Sequence, residues 1–141
     1  MSADISAVAL PQPFPNVDTD GFWQATAQGE VRLCRCQDCR TWMQPPLERC
    51  RACAGPTAFE AVAGTGTVFS FIVVRHAAVQ GFEVPYVVTL VELDDQPGLR
   101  LSARLVDIDP PDVRIGQTVA VGVADHPGGS FRVLVFRPTH G

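Results

Sequence analysis

The sequence predicts a mainly β chain in which a short N-terminal helix and a zinc ribbon are followed by a five-stranded barrel of the OB type. Two observations carry this reading. Cys36-Gln37-Asp38-Cys39 and Cys50-Arg51-Ala52-Cys53 are separated by ten residues, a spacing that lets four thiolates converge on one cation at about 2.3 Å. From Phe59 onward the pattern changes to alternation rich in β-branched residues, punctuated by Gly- and Pro-containing turns. With 141 residues, 46% of them hydrophobic, the chain can build one main core and a small appendage but not two ordinary domains. The expected division is 1–30 for an arm and helix, 31–57 for the ribbon and 58–141 for the barrel.

Met1 to Asp18 carries prolines at positions 11, 13 and 15, too close together for a helix, and reads as an arm available to lie on a partner. Asp18-Thr19-Asp20 offers N-cap chemistry, Phe22 and Trp23 start an amphipathic turn, and Gly29 can end it, which predicts a helix over Thr19 to Gln28. Glu30 to Leu33 is expected to be a short strand entering the first cysteine pair. Pro45 and Pro46 exclude a helix between the pairs and suit an irregular ribbon strand.

Five strands are expected next. Thr65 to Val74 is long, with Gly64 and Gly66 placed to bulge or bend its start. Val84 to Leu93 and Leu99 to Leu105 flank the turn Asp94-Asp95-Gln96-Pro97-Gly98. Asp107 to Gly116 contains two prolines and a glycine and allows at most one helical turn. Gln117 to Ala124 and Ser130 to Arg137 flank His126-Pro127-Gly128-Gly129, a hairpin signal. A bent first strand and a non-strand connection between the third and fourth match a Greek-key barrel. An open sheet is the alternative, but it would leave two long apolar edges exposed.

Zinc is the expected occupant of the four cysteines, with a rubredoxin-like iron site and a pair of disulfides as alternatives. No apolar run reaches the roughly 20 residues of a membrane span and no signal peptide begins the chain, so a cytoplasmic location is expected. In that compartment thiols stay reduced, which disfavours the disulfides. The fifth cysteine, Cys34, exceeds a tetrahedral site and reads as a small, partly buried apolar side chain. Arg32, Arg35, Arg40, Arg49 and Arg51 crowd the pairs, where guanidinium groups can offset the net charge of about −2 that four thiolates leave on a dication.

All 11 basic residues are arginine, so no lysine is present to form a Schiff base. The net charge of −4 argues against a nucleic-acid partner, although a single-strand binder built from ribbon and OB elements remains the alternative of another class. No nucleophile elbow, phosphate-binding loop or carboxylate pair is found, and no catalytic residue is assigned. His76 ends the first long strand beside Arg75 and before Phe82 and Tyr86. It reads first as a partly exposed strand-end residue and second as a pocket residue of a self-sufficient hydrolase. Asp94-Asp95 and the Asp107–Asp112 cluster read as turns. Phe69 and Phe71 share a face by alternation, while Phe131 and Phe136 lie on opposite faces, so some rings must be outside or at an interface.

Taken in order, Phe22-Trp23, Arg35-Cys36-x-x-Cys39, Pro45-Pro46, Cys50-x-x-Cys53, Gly64-Thr65-Gly66-Thr67-Val68-Phe69-Ser70, Pro85-Tyr86-Val87-Val88, Val91-Glu92-Leu93, Ile115-Gly116 and Phe136-Arg137-Pro138 resemble the "domain of unknown function thirty-five" proteins. The resemblance spans Phe22 to Pro138. It implies a rubredoxin-like zinc ribbon, with Cys36, Cys39, Cys50 and Cys53 as ligands of a structural Zn2+, joined to an acyl-CoA-associated OB-fold. It further implies a non-catalytic subunit that forms a hetero-oligomer with a thiolase-like acyl-CoA enzyme, with acyl-CoA at the interface. The implied partner is a retro-aldol lyase of sterol or lipid side-chain degradation; the alternatives are an acyl-CoA hydratase and an acyltransferase. Two departures stand out: Arg40 replaces a glycine often found after the second cysteine, and Leu47-Glu48-Arg49 replaces a Pro-Arg pattern. A non-glycine at position 40 requires negative φ or a strained backbone.

Overall fold

The computed structural model describes residues 10–79, 81–129 and 131–139. Its order is α1 (Asp20–Ala27), β1 (Arg32–Cys36), β2 (Trp42–Met43), β3 (Thr57–Ala61), β4 (Thr65–Val74), β5 (Tyr86–Leu93), β6 (Arg100–Leu105), a 3-10 turn (Pro110–Asp112), β7 (Thr118–Asp125) and β8 (Arg132–Pro138). Strands β2-β1-β3 form an antiparallel three-stranded sheet, and β4-β5-β6-β8-β7 close into a barrel. All barrel pairs are antiparallel except β6 with β8. Closure removes the open-sheet alternative and abolishes the exposed edges that disfavoured it.

The first nine residues of the expected arm lie outside the described residues. Of the rest, Leu10 is buried against the turns that hold Gly81 and Gly128, where a Cβ on either glycine would meet its side chain. The Gln12 amide donates to Gly128 O at 2.9 Å. This part of the arm therefore docks on the chain's own barrel. Helix α1 starts one residue later than expected because Thr19 makes no side-chain cap; instead Asn16 Oδ1 accepts from the Asp18 and Thr19 amides at 3.0 Å. Its end follows the prediction: Gly29, at φ +82, donates to Thr26 O while Glu30 donates to Ala25 O, the paired bonds of a Schellman stop.

Strand β1 runs through Cys36 rather than stopping at Leu33, and β3, which the alternation after Phe59 only hinted at, pairs with its whole length. The barrel core is filled from alternate positions: Val87, Val91 and Leu93 on β5, Leu101 and Leu105 on β6, Val119 on β7 and Phe136 on β8. A β-bulge between Val68 and Ser70 breaks the alternation on β4. As a result Phe71 packs against the core while Phe69 is 47% exposed, so the two rings do not share a face. Gly66 lies so close to β5 that a Cβ there would meet Val91 Cγ1 at 2.6 Å and Glu92 O at 2.7 Å. The bend at the start of β4 thus depends on a close backbone approach.

The ribbon is part of the same packed unit. Leu33 and Trp42 belong to the barrel core cluster. Gln96, in the turn between β5 and β6, accepts from Trp42 N at 2.8 Å and donates to Trp42 O at 3.1 Å.

Candidate metal centre

Each cysteine pair sits on a turn that offers its backbone amides to sulfur. Asp38 N and Cys39 N both donate to Cys36 Sγ at 3.4 Å, and Ala52 N donates to Cys50 Sγ at 3.3 Å. The residue after each pair, Arg40 and Ala54, takes positive φ of 66° and 62°. Arg40 therefore adopts the strained alternative anticipated for a non-glycine. Two bonds hold it there: its carbonyl accepts from Arg35 Nε at 2.8 Å, and its guanidinium reaches Glu60 Oε1 at 2.6 Å. Gly55 closes the second knuckle, where a Cβ would stand 3.0 Å from Cys36 Sγ.

The two knuckles bring all four sulfurs within 4.8 Å of one another, with Cys36–Cys53 at 3.5 Å and Cys39–Cys50 at 3.6 Å. A tetrahedral zinc–thiolate site with bonds of about 2.3 Å requires sulfur separations of about 3.8 Å, so the donor set fits the ion. All five cysteines are free thiols, which removes the disulfide reading. Cys36 is fully buried. Burial pushes its thiol up, but the amides of Cys39 and Asp38 outweigh this and hold it below the ordinary value. Thr41, whose Oγ1 lies 3.2 Å from Cys39 Sγ, draws the Cys39 thiol down to about 6. At Cys53 the Gly55 amide pulls down, yet the neighbouring sulfurs of Cys36 and Cys39 prevail and push the thiol up to about 12. Four sulfurs this close cannot all be anionic without a cation among them.

The arginines divide. Arg35 and Arg40 converge on Glu60, which also accepts from Gln37 Nε2 at 2.8 Å. Those bonds, from Gln37 first and Arg40 next, hold the Glu60 carboxyl below its usual range. Arg35 also stacks over Trp42, 4.5 Å from its centroid. Glu60 and Thr41 were not singled out in the sequence; the alternation that starts at Phe59 is the signal that could have placed Glu60 on a strand, beside Phe59 and on its opposite face. Cys34 is buried outside the four-sulfur cluster, with Sγ 3.4 Å from Leu47 O. His76 is exposed just past the end of β4, as its first reading expected, and does not line the apolar groove beside α1. That groove, about 540 Å³, lies between α1, the Pro45-Pro46 loop and the barrel, and includes Phe22, Trp23, Phe59 and Leu134.

Residues 23–60 match the family model described as the ChsH2 rubredoxin-like zinc ribbon domain, and residues 59–124 match the ChsH2 C-terminal OB-fold domain. A solved structure titled "Ltp2-ChsH2(DUF35) aldolase" aligns over 90% of this chain and 98% of that one, at 36% identity and a TM-score of 0.81. The chain belongs to the DUF35 family. Other relatives agree. A DUF35 domain-containing scaffold protein of Methanocaldococcus jannaschii is 39% identical over 89 residues, 60% of this chain and 61% of the relative. A probable enoyl-CoA hydratase alpha subunit of Thermomonospora curvata is 40% identical over 130 residues, and the 3-oxo-4,17-pregnadiene-20-carboxyl-CoA hydratase alpha subunit of Mycobacterium tuberculosis is 33% identical over 129. Each alignment takes 91% of this chain but only 40% of the hydratase subunit. Within the DUF35 frame, the four-cysteine cluster falls inside the zinc-ribbon match, and the OB match covers the barrel from β4 to Ala124 on β7, with β8 beyond its end. No helix among the described residues is long and apolar enough to cross a membrane.

Proposed function

We propose that this DUF35 chain is a non-catalytic accessory subunit of a thiolase-like acyl-CoA enzyme, a retro-aldol lyase acting on sterol or other lipid side-chain CoA thioesters. The observation that carries the reading is the alignment over nearly the full length of the DUF35 chain in a structure titled as an aldolase. In this role Cys36, Cys39, Cys50 and Cys53 hold one structural Zn2+. Four thiolates complete its tetrahedron and leave no position for water or substrate, so the ion fastens the ribbon rather than polarising a carbonyl. The ribbon in turn fixes α1 and the Pro45-Pro46 loop against the barrel, and the acyl-CoA is held where this assembly meets the partner.

Co-expression with the host's thiolase-like protein tests the reading. A stable complex is expected, with aldolase turnover in the complex and none from this chain alone. Separate elution of the two proteins, with full activity in the partner by itself, would refute it.

The hydratase relatives favour a second reading, in which the chain serves an acyl-CoA hydratase. Because the aligned segment is 40% of those subunits, that activity can reside in the part this chain does not cover. Hydration of an enoyl-CoA by the purified complex, without carbon–carbon cleavage, would favour this reading. The nucleic-acid alternative loses support from the arginines, since Arg35 and Arg40 are engaged by Trp42 and Glu60.

A further inference from the structure

We infer that the outward face of β4-β5-β6 is the surface that docks the catalytic subunit, an inference that rests on the accessory role proposed above. Of the eight large hydrophobic residues most exposed among the described residues, Phe69 and Ile72 lie on β4, Val79 and Val84 in the loop that follows it, and Ile115 beside Gly116, whose amide donates to Val68 O on β4. Ile72, 61% exposed, heads the register Ile72–Val88–Arg104 across the three strands. The adjoining rows are Ser70–Leu90–Ser102 and Thr67–Glu92–Arg100. The bulge after Val68 turns Phe69 onto this same outer side.

The arginines on β6 show what chemistry the face accepts. Arg100 lies 3.8 Å from the Phe69 centroid and is paired with Glu92. Arg104 lies 4.1 Å from the Tyr86 centroid and 4.8 Å from that of Phe82, and no ion pair engages it among the described residues. Stacking fixes each guanidinium plane and leaves N–H donors at its edge for an acceptor from outside. The chain as a whole carries a charge of −4, yet this face presents a cation without a carboxylate of its own. Aromatic residues and arginine around an apolar centre make up the composition enriched in protein–protein interface cores.

The outer face of a closed barrel is convex, which suits a folded protein better than a small ligand that needs a concave pocket. The occupant is therefore an apolar surface of the catalytic subunit that supplies a carboxylate to Arg104. A second acceptor near Arg100 would stand about 13 Å away, four residues along an extended strand.

The test uses the full chain and the host's thiolase-like protein. Ile72→Asp and Arg104→Glu are each made and titrated against the partner by calorimetry, with zinc content and thermal melting recorded for each variant. Asp125→Asn, at the exposed far end of β7 and outside this face, serves as the control. At least a tenfold loss of affinity in both variants is expected, with zinc, melting and the control unchanged. Wild-type affinity in both variants would overturn the docking face while leaving the accessory role intact. Failure of the wild-type chain itself to bind would remove the role and the face together. Concentration-dependent self-association abolished by Ile72→Asp would show that the face joins copies of this chain, and would also overturn the assignment.

Discussion

Trp42 is the side chain through which the metal-bound ribbon and the barrel share one core, so its truncation should destabilise both at once. It sits on β2, 3% exposed, among the barrel residues, with Arg35 stacked on its ring and Gln96 bonded to its backbone on both sides. A buried indole removes about 200 Å² from water, which at about 25 cal/mol per Å² is worth about 5 kcal/mol, in line with the roughly 3–5 kcal/mol lost when buried aromatics are cut to alanine. For a chain of this length the unfolding entropy near the midpoint is roughly 0.3 kcal/mol per kelvin, so Trp42→Ala should lower Tm by about 10–17 °C. Zinc content should stay near one per chain, because no ligand is touched. Differential scanning calorimetry on the zinc-loaded protein is the assay. A drop below about 3 °C would show that the ribbon is an independent appendage and that its contact with the barrel contributes little.

Other expected outcomes follow from single contacts. Gly66→Ala places a Cβ against Val91 and the Glu92 carbonyl, so chemical denaturation should show a loss of about 1–3 kcal/mol. Glu60→Gln removes the carboxylate that joins Arg35 and Arg40 to β3; since the wild-type group is held below its usual range, its contribution is present above the unfolded carboxyl pKa and is lost as pH falls through the folded one. Melting curves of wild type and Glu60→Gln should therefore differ at neutral pH and converge in acid, and a constant gap would contradict the assignment. Cys50→Ser should abolish stoichiometric zinc and unfold the ribbon, read by metal analysis and by circular dichroism.

Much of this architecture was legible because it rests on local rules. The two C-x-x-C turns, the glycine at position 29 and the long strand from Thr65 to Val74 each announce themselves within a few residues, and the structure keeps all three. What escaped was set by distant partners. Strand β3 is short, its five residues half-buried or exposed, so its own pattern is weak; its pairing with β1 makes it a strand. The Phe69 bulge is likewise a property of the register between β4 and β5, and it reverses the face that simple alternation assigns to Phe71.

The cysteine site shows the same division. Spacing identified four donors and the ion they suit, but not the support around them. Thr41 and Glu60 act through a strand end and a neighbouring strand, and Arg40 reveals its left-handed backbone only in three dimensions. The outward row Ile72–Val88–Arg104 is invisible until the barrel is assembled, because its members are far apart in the chain.

The most direct test of the central claim is a turnover measurement on three samples: this chain alone, the thiolase-like protein alone, and the two purified together, each supplied with a side-chain acyl-CoA thioester. The account predicts carbon–carbon cleavage by the complex only, lost when zinc is removed from the ribbon. Cleavage by this chain alone, or undiminished cleavage by the partner without it, would contradict the account.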